Sequence, residues 1–392
     1  MLLSREKWVL LGIILSTGFA MFAMFFGSGN LVFPIILGDM TQQHFLWSTL
    51  GLVLTGVLLP FLGLVAIMLF KGDYNAFFAR LGRPFDFILI LIVLALMGPF
   101  GVIPRCITVA FGSFDLVFPN TSSTLFNLIF ALVTFLLMLD RKKIVPILGA
   151  VLTPVMLVVI FIIIIYGGFH AQSMLVSQQE SIMADFMAGV VIGYRTFDLV
   201  AAFFFASIVI KYINDKLNCG PLNESQYRAA TLWSMILGGG LLGVIYIGFV
   251  FLGSAYAQYL SPDFPERSIA IIVYQALGSN AGPVVTIAVV LACLTTAIAL
   301  TSITARFLQE RICCQRIHYH FAVVIILVIS LVIADFNFMG IAAFLTPAVK
   351  ILYPGLIVLT LLNIGHKLWG WQLVKTPVYL TFALAAISTA LL

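Results

Sequence analysis

Long apolar runs dominate this sequence and constrain its fold more than any single motif. A helix needs about 20 consecutive apolar residues to cross the hydrocarbon core of a bilayer. Eleven such runs lie near residues 9–36, 46–70, 86–111, 124–139, 144–166, 186–210, 228–257, 283–305, 318–334, 340–362 and 375–392. With 62% hydrophobic and only 9% charged residues, the composition is not that of a soluble domain. The sequence therefore predicts an all-α polytopic membrane protein with about eleven transmembrane helices.

The positive charges fall on one side of this predicted topology. Sixteen of the 20 Lys and Arg residues precede the first run or lie in every second connection, and only Arg267 lies on the other side. The remaining three, Arg105, Arg195 and Lys350, lie within runs. Because Lys and Arg are retained in the cytoplasm, we predict a cytoplasmic N-terminus and an outer C-terminus. The net charge of +5 then reflects topology, and we expect a lipid bilayer as partner and no nucleic acid.

The whole chain is predicted to form one transmembrane domain, because no polar stretch is long enough to form a soluble one. The first run is too long for a cleaved signal peptide, which predicts a retained helix. The five cysteines, at 106, 219, 293, 313 and 314, lie in runs or cytoplasmic connections. We therefore expect no structural disulfide, and the adjacent Cys313 and Cys314 lack partners at metal-site spacing.

The first apolar run contains poor helix formers near its middle, since residues 27–34 are Gly-Ser-Gly-Asn-Leu-Val-Phe-Pro. Gly costs roughly 1 kcal/mol relative to Ala inside a helix, and Pro removes a backbone donor. Backbone groups freed within lipid need protein partners or a polar ligand. An unwound segment offers carbonyls for a cation and helix-starting amides for a carboxylate. The alternative is close helix packing through Gly27 and Gly29 with an ordinary kink at Pro34.

A second interruption falls in the sixth run, where residues 193–198 are Gly-Tyr-Arg-Thr-Phe-Asp. Charged side chains at membrane depth are costly and usually functional. Either Asp198 forms an internal ion pair with Arg195 or Arg105, or the segment unwinds and faces the first interruption. The two interruptions are five helices apart, the spacing of an inverted five-helix repeat. We therefore predict a transporter core with broken helices 1 and 6, built from repeats at about 8–168 and 185–363, with an extra helix at about 374–392.

Hydroxyl groups and isolated cations mark further candidate positions. Thr295 and Thr296 in the eighth run either bond back to their own helix or join carbonyls of the first helix in an oxygen site for a monovalent cation, as oxygen ligands suit hard ions. Arg105, predicted toward the outer end of the third run, is either an external gate or partner of Asp198, or it extends to the interface. Lys350 either replaces a cation electrostatically, pairs with an acid or lies at a helix end.

Four stretches together resemble a known family, the branched-chain amino acid:cation symporters, which are the bacterial leucine, isoleucine and valine carriers of the amino acid-polyamine-cation superfamily. The stretches are Phe26-Gly-Ser-Gly-Asn-Leu-Val-Phe-Pro34, Gly98-Pro-Phe-Gly-Val-Ile-Pro-Arg105, Gly193-Tyr194 with Thr196 and Asp198, and Ala292-Cys-Leu-Thr-Thr-Ala297. They occur in order along most of the chain.

The resemblance implies two inverted five-helix repeats, substrate held between the broken first and sixth helices, and coupling to sodium or protons without a covalent cofactor. The substrate carboxylate would meet amides around Gly27 and Gly29, and the ammonium would meet carbonyls near Tyr194 and Thr196. The implied substrate site comprises Gly27, Ser28, Gly29, Asn30, Phe100, Ile103, Tyr194, Thr196, Phe197 and Asp198, with Phe100, Ile103 and Phe197 as the apolar pocket. The implied sodium ligands are carbonyls near Ala23 and Phe26 and the hydroxyls of Thr295 and Thr296.

The chain departs from the family pattern at several positions. Arg195 replaces an apolar residue, Phe197 replaces Met, and Cys106-Ile107 replaces Thr-Ala. A family-typical acidic residue is missing near Gly112, and the family commonly has twelve spans. The ten-helix core is nevertheless complete in the predicted topology.

These observations favour a secondary active transporter that imports leucine, isoleucine and valine with sodium or protons across a bacterial inner membrane. The alternatives are transport of another small amino acid or solute on the same fold, or a channel. An enzyme is not expected, since the chain has no His-Glu-x-x-His motif and no second mid-span Asp in a Gly-x-Gly-Asp context.

Overall fold

A computed structural model of the chain describes residues 2–139, 148, 152–171, 181–217, 224–278 and 281–391. Within these ranges the regular structure is helical, with no strand. The helices are α1 (Leu2–Phe25), α2 (Ser28–Thr41), α3 (Phe45–Val53), α4 (Leu59–Leu69), α5 (Tyr74–Ala79), α6 (Phe85–Met97), α7 (Val102–Val117), α8 (Ser123–Leu137), α9 (Thr153–Phe169), α10 (Ile182–Arg195), α11 (Asp198–Leu217), α12 (Glu224–Ala255), α13 (Ser268–Leu277), α14 (Gly282–Phe307), α15 (Tyr319–Ala334), α16 (Asn337–Trp369) and α17 (Lys375–Leu391). The predicted all-α membrane architecture is confirmed.

Five helical stretches among the described residues are long and apolar enough to cross a bilayer, or six if the bent pair α10 and α11 is one span. They are Ser28–Leu69, Phe85–Val117, Gln226–Ala255, Gly282–Ile312 and Asn337–Trp369. The first contains the second half of the first predicted span and nearly all of the second, because the chain turns at Gln42–His44, where Gln42 has a φ of 42°. Shorter apolar helices occupy Leu10–Phe25, Ser123–Leu137, Thr153–Phe169 and Tyr319–Ala334. The exact number of eleven spans stays a prediction.

Some predicted features lie outside the described residues. They are the part of the fifth span before residue 152, apart from Leu148, together with Arg141, Lys142, Lys143 and Cys219.

The first predicted span is broken where α1 ends at Phe25 and α2 begins at Ser28. The N–H of Gly27 bonds the carbonyl of Phe25 at 2.8 Å, so the regular helical pattern stops there. Pro34 lies inside α2, after the break. Loss of the regular bonds at Gly27 therefore sets the position of the break, as predicted for the first helix.

The sixth span is broken between Arg195, the last residue of α10, and Asp198, the first residue of α11. The axes of the two halves differ by 41°. Phe197 in the connection has a φ of 66°, a left-handed conformation that is uncommon for a bulky residue. This strained residue marks the break as a built feature of the fold. Broken helices 1 and 6 are both confirmed.

The third span contains a further break that was not predicted. Its two halves, α6 and α7, are joined by the turn at residues 98–101, where the N–H of Phe100 bonds the carbonyl of Ala95 at 3.1 Å. α7 then continues to Val117, six residues beyond the predicted end of this span. Arg105 consequently lies much deeper in the bundle than predicted from the sequence.

The second half of the first broken helix, α2, packs directly on α12. A Cβ at Gly38 would lie 2.0 Å from the carbonyl oxygen of Val250, and one at Gly253 would lie 2.2 Å from that of Ile35. Only glycines permit this backbone approach, which is how small residues hold helices together where lipid offers no hydrophobic driving force.

The first half of the other broken helix, α10, packs on α3 in the same way. A Cβ at Gly51 would lie 2.1 Å from the carbonyl oxygen of Phe186, and one at Gly189 would lie 2.0 Å from that of Ser48. The first predicted span (α1 and α2) thus packs on the seventh (α12), and the sixth (α10 and α11) packs on the second (α3 and α4). Each broken helix therefore packs against a helix of the other repeat. This exchange agrees with the inverted-repeat core.

Candidate substrate and cation site

The hydroxyls of Thr295 and Thr296 on α14 meet the carbonyls at the end of α1. Thr295 Oγ1 lies 2.9 Å from the carbonyl oxygen of Ala23 and 2.8 Å from that of Ala292 in its own helix. Thr296 Oγ1 lies 3.3 Å from the Ala23 oxygen and 3.0 Å from the Met24 oxygen. Both threonines are buried. The contacts bring neutral oxygen atoms from two helices together next to the first break.

Two backbone features complete this oxygen cluster. A Cβ at Gly27 would lie 2.7 Å from Thr296 Oγ1, so glycine is required for α14 to approach the break. Phe26, expected to supply a further carbonyl, stacks its ring on Phe22 at 5.0 Å and donates its N–H to the Phe22 carbonyl. The threonine hydroxyls bond the Ala23 and Met24 carbonyls, and the Phe26 carbonyl as a sodium ligand stays a prediction.

The two helix breaks touch one another. A Cβ at Gly29 would lie 3.4 Å from Thr196 Cα, which is ordinary contact distance. Thr196 Oγ1 donates to the Gly193 carbonyl at 2.8 Å, and the N–H of Phe197 donates to the Tyr194 carbonyl at 3.3 Å. The sixth-helix break thus satisfies part of its backbone locally while facing the start of α2.

Asp198 is held by neutral donors and not by a cation. Asn30 Nδ2 donates to both carboxylate oxygens, at 2.9 and 2.8 Å, and the hydroxyl of Tyr246 on α12 donates to Oδ2 at 2.5 Å. All three side chains are buried. The predicted ion pair of Asp198 with Arg105 or Arg195 is therefore wrong among the described contacts, because the carboxylate is turned toward Asn30 and Tyr246.

Arg105 lies in the interior of the bundle, with 1% of its surface exposed. Its Nη1 donates to the carbonyl of Arg195 at the sixth-helix break, at 3.2 Å. The predictions that it lies toward the outer end of its span, or extends to the interface, are both wrong. The reason is the length of α7 beyond Arg105. The helix ends at Val117, twelve residues and about 18 Å further along.

The remaining predicted pocket residues have different surroundings. Ile103 is fully buried and Phe197 is 2% exposed, whereas Phe100 is 39% exposed. Phe100 lies in the irregular turn before α7, and its place in the apolar pocket stays a prediction. Cys106 Sγ lies 3.6 Å from Ser28 Oγ, which places Ser28 against α7.

Arg195 and Lys350 line a lateral cavity of about 280 Å³ between α10, α16 and α17. Tyr194 and Ser388 also line it, and Lys350 is exposed. Neither cation forms an ion pair with a described acid, so both stand apart from the contacts that join the two breaks.

Sequence reasoning missed several residues around the two breaks. Tyr246 holds Asp198, and Phe33 and Phe338 surround the guanidinium of Arg105. Tyr353 packs its ring 4.8 Å from that of Tyr194. A hydroxyl-bearing aromatic within an apolar run was the available signal for the two tyrosines. Phe33 lies in the stretch Phe26–Pro34 singled out above, but neither it nor Phe338 has a polar atom that would indicate contact with a cation.

Solved structures share this architecture. Mhp1, a nucleobase-cation-symport-1 family transporter in a closed conformation with bromovinylhydantoin bound, superposes with a TM-score of 0.65 at 15% identity. The match covers 96% of this chain and 86% of that chain. At this identity the likeness establishes the fold alone.

Sequence relatives cover nearly the whole chain. The branched-chain amino acid permease BraB of Bacillus subtilis is 29% identical over 360 residues, covering 90% of this chain and 80% of BraB. The permease BrnQ of Corynebacterium glutamicum is 30% identical over 365 residues, covering 91% and 81%. The profile described as "Branched-chain amino acid transport protein" matches residues 12–391. This chain is therefore an integral membrane transporter, not an enzyme, and belongs to the family of branched-chain amino acid transport proteins.

Proposed function

We propose that this transporter imports leucine, isoleucine or valine across a bacterial inner membrane by symport with sodium. The observation that carries the proposal is the meeting of the two helix breaks beside Thr295 and Thr296. Transporters built from inverted repeats bind substrate and coupling ion at such discontinuous helices near the membrane midplane. On this proposal the repeats are residues about 8–168 and 185–363, the N-terminus is cytoplasmic, and the helix at about 374–392 lies outside the core.

Sodium is the favoured coupling ion because the cluster at Thr295 consists of neutral oxygens. Carbonyl oxygens at the end of α1 carry the negative end of the helix dipole, which favours a cation. The Ala23 carbonyl receives both threonine hydroxyls, so α1 and α14 already supply converging oxygen atoms. A bound sodium ion would tie the end of α1 to α14 and so favour one conformation of the site.

The substrate part of the proposal rests on the complementary ends of the half-helices. The first turn of α2, around Gly29, presents amides suited to a carboxylate, and the end of α10, around Tyr194, presents carbonyls suited to an ammonium. Ile103 and Phe197 supply buried apolar surface close to these ends. An aliphatic amino acid satisfies all three requirements, and the printed names of BraB and BrnQ support the branched-chain class.

Proton coupling through Asp198 is a second candidate. A carboxylate this deeply buried is costly as an anion unless donors or cations compensate it, and its described partners are the neutral Asn30 and Tyr246. Protonation would neutralise Asp198 and change which of these hydrogen bonds it makes. Such a change can couple a proton to the geometry of both breaks, since Asn30 belongs to one and Asp198 to the other.

The test is uptake of radiolabelled leucine, isoleucine and valine into proteoliposomes under an inward sodium gradient and, separately, an inward proton gradient. We expect saturable uptake that requires the sodium gradient. Coupling must be reciprocal, so leucine should also increase sodium affinity by the same factor. Uptake without saturation would indicate a channel, and no uptake of the three would leave another small amino acid as substrate.

The variant Asp198→Asn separates the two coupling ions in the same assay. If protons drive uptake, it abolishes proton-driven accumulation while exchange of labelled for unlabelled leucine across the membrane continues. Asp263→Asn, which alters an exposed loop acid, is the control. Accumulation by Asp198→Asn equal to the wild type would remove this carboxylate from the mechanism.

A further inference from the structure

Arg105 carries two buried nitrogen atoms without hydrogen-bond partners among the described residues. Its Nη1 bonds the Arg195 carbonyl, but Nε and Nη2 have no acceptor. Those two atoms form one edge of the planar guanidinium, the edge that a carboxylate engages with two parallel hydrogen bonds. The unpartnered edge therefore has the donor geometry of a carboxylate site.

No carboxylate among the described residues contacts Arg105 directly, although the charge of Asp198 acts on it at longer range. Asp198 makes no ion pair with it among the described contacts and instead accepts from Asn30 and Tyr246. A buried cation without an anionic partner is costly. An anion that reached the Nε–Nη2 edge would consequently gain much more there than at an exposed arginine.

Aromatic rings enclose the guanidinium. Its Cζ lies 5.4 Å from the ring centroid of Phe33, 5.5 Å from that of Phe197 and 6.0 Å from that of Phe338. Cation–π contacts partly stabilise the charge, and the rings exclude water that would otherwise satisfy the free nitrogens. They leave no strong acceptor to compete with an anionic ligand.

The position of Arg105 links this edge to the proposed amino-acid site. It bonds the last carbonyl of α10 at the sixth-helix break, and the adjacent Cys106 contacts Ser28 in the first turn of α2. Phe33, one turn further along α2, contacts the guanidinium directly. Arg105 thus lies where both breaks can contribute to holding a single small ligand.

We propose that the Nε–Nη2 edge of Arg105 binds the α-carboxylate of the transported amino acid. This inference rests on the proposed transport of amino acids through this site. It adds the side chain of Arg105 to the first-turn amides of α2, which would otherwise be the only ligands of the substrate carboxylate. Phe33, Phe197 and Phe338 then shield the charge pair from water. Arg105 is thereby a ligand of the substrate and not a gate at the outer surface.

The experiment compares amino acids with their amides. Competition by L-leucine and by L-leucinamide is measured against labelled substrate for purified wild type, Arg105→Gln, Arg105→Lys and Arg195→Gln in proteoliposomes. We expect wild type to bind leucine about 100-fold more tightly than leucinamide, the cost of leaving a buried charge unpaired. Arg105→Gln should lose most of that discrimination by weakening leucine alone, and Arg105→Lys should retain part of it because it keeps the charge.

Arg195→Gln is the matched control, since it removes a mid-span cation whose side chain lines the lateral cavity while leaving its backbone carbonyl for Arg105. Its discrimination should equal that of the wild type. Equal weakening of leucine and leucinamide in Arg105→Gln would show a structural role and overturn the proposal. If Arg105→Gln does not fold, full discrimination in a stable Arg105→Lys protein at unchanged leucine affinity would also overturn it.

The same assay separates this inference from the proposed substrate class. If leucine, isoleucine and valine do not compete, the other amino acids and their amides are tested in the same pairs. Preference for an acid over its amide that depends on Arg105 would uphold the carboxylate assignment while the branched-chain class fails. No such preference for any amino acid would overturn the assignment.

Discussion

Asn30 joins the two broken helices through a single side chain. Its Oδ1 accepts the N–H of Gly27 at 3.4 Å, and its Nδ2 donates to the carboxylate of Asp198. An amide serves both roles because it carries an acceptor and two donors. Aspartate at position 30 would set two carboxylates side by side, and leucine would remove both the acceptor of the Gly27 N–H and a donor to the Asp198 carboxylate in a buried site.

A prediction for Thr295 tests the sodium proposal at the residue scale. Thr295→Ala removes a hydroxyl that contacts the Ala23 carbonyl, so the sodium concentration for half-maximal uptake should rise roughly tenfold, equivalent to about 1.4 kcal/mol. Thr295→Ser keeps the oxygen and should restore most of the affinity. The measurement is leucine uptake in proteoliposomes as a function of external sodium.

Thr304→Ala provides the control for that measurement. Thr304 lies on the same helix and is also buried, but its hydroxyl bonds the Leu300 carbonyl of its own helix at 2.8 Å. Its sodium dependence should match the wild type. An unchanged sodium dependence in Thr295→Ala would remove the threonine hydroxyl from the cation site.

At the scale of helices, the breaks near Gly27 and Thr196 could be predicted because glycine, proline and charged residues are unfavourable within a spanning helix. The break before α7 was missed, although glycine and proline stand there in the sequence, because residues 98–104 carry no polar side chain like those of the two predicted breaks. That omission also shortened the predicted third span and placed Arg105 too near the surface.

The partners of the site residues could not be predicted from the sequence. Asp198 had two cations available within apolar runs, yet it bonds Tyr246 on a helix 48 residues away. Which face of each span is buried depends on helix rotation, and a helix that is apolar on all sides gives no periodic signal for it. The rings around Arg105 come from separate spans, so their contact with its guanidinium could not be predicted for the same reason.

Glu266 gives a prediction for the loop between α12 and α13. It lies in the single helical turn Pro265–Arg267, and a Cβ at Gly112 of α7 would lie 2.6 Å from its Cγ. Its side chain therefore occupies the space beside Gly112. Burial against α7 raises the pKa of the Glu266 carboxyl above its ordinary value of 4.5, although Arg267 opposes the shift.

The sign of the pH dependence follows from that raised pKa. An acid whose pKa is higher in the folded protein stabilises it fully below the unfolded pKa, and the contribution is lost as the pH rises through the folded pKa. We therefore expect the melting temperature of the purified protein to fall as the pH rises above about 4.5, and Glu266→Gln to reduce that slope. Asp263→Asn, on the same loop but exposed, should keep the wild-type slope. Identical slopes for Glu266→Gln and wild type would contradict the prediction.

At the scale of the whole molecule, two cations of the predicted cytoplasmic connections, Arg80 and Arg311, lie at the same end of the bundle. Arg311 after α14 bonds Asn75 of α5 at 2.8 Å, and Arg80 lies 3.4 Å from Asn363 near the end of α16. Connections far apart in sequence are therefore neighbours at the same end of the bundle. Arg267 instead pairs with Asp115 near the end of α7, at 2.8 Å.

This distribution predicts the orientation of the chain in the membrane. Because positively charged connections stay in the cytoplasm, the face with Arg80 and Arg311 should be cytoplasmic and the face with Arg267 external. Because the predicted number of spans is odd, the C-terminus should be external. Alkaline phosphatase fused after residue 392 should therefore be active, and a fluorescent protein fused there instead should be dark.

Single cysteines introduced at exposed loop positions 263 and 73, with the native cysteines replaced, provide the second measurement. An impermeant maleimide should label position 263 in intact cells and position 73 only after the membrane is opened, whereas labelling of position 73 in intact cells would reverse the orientation.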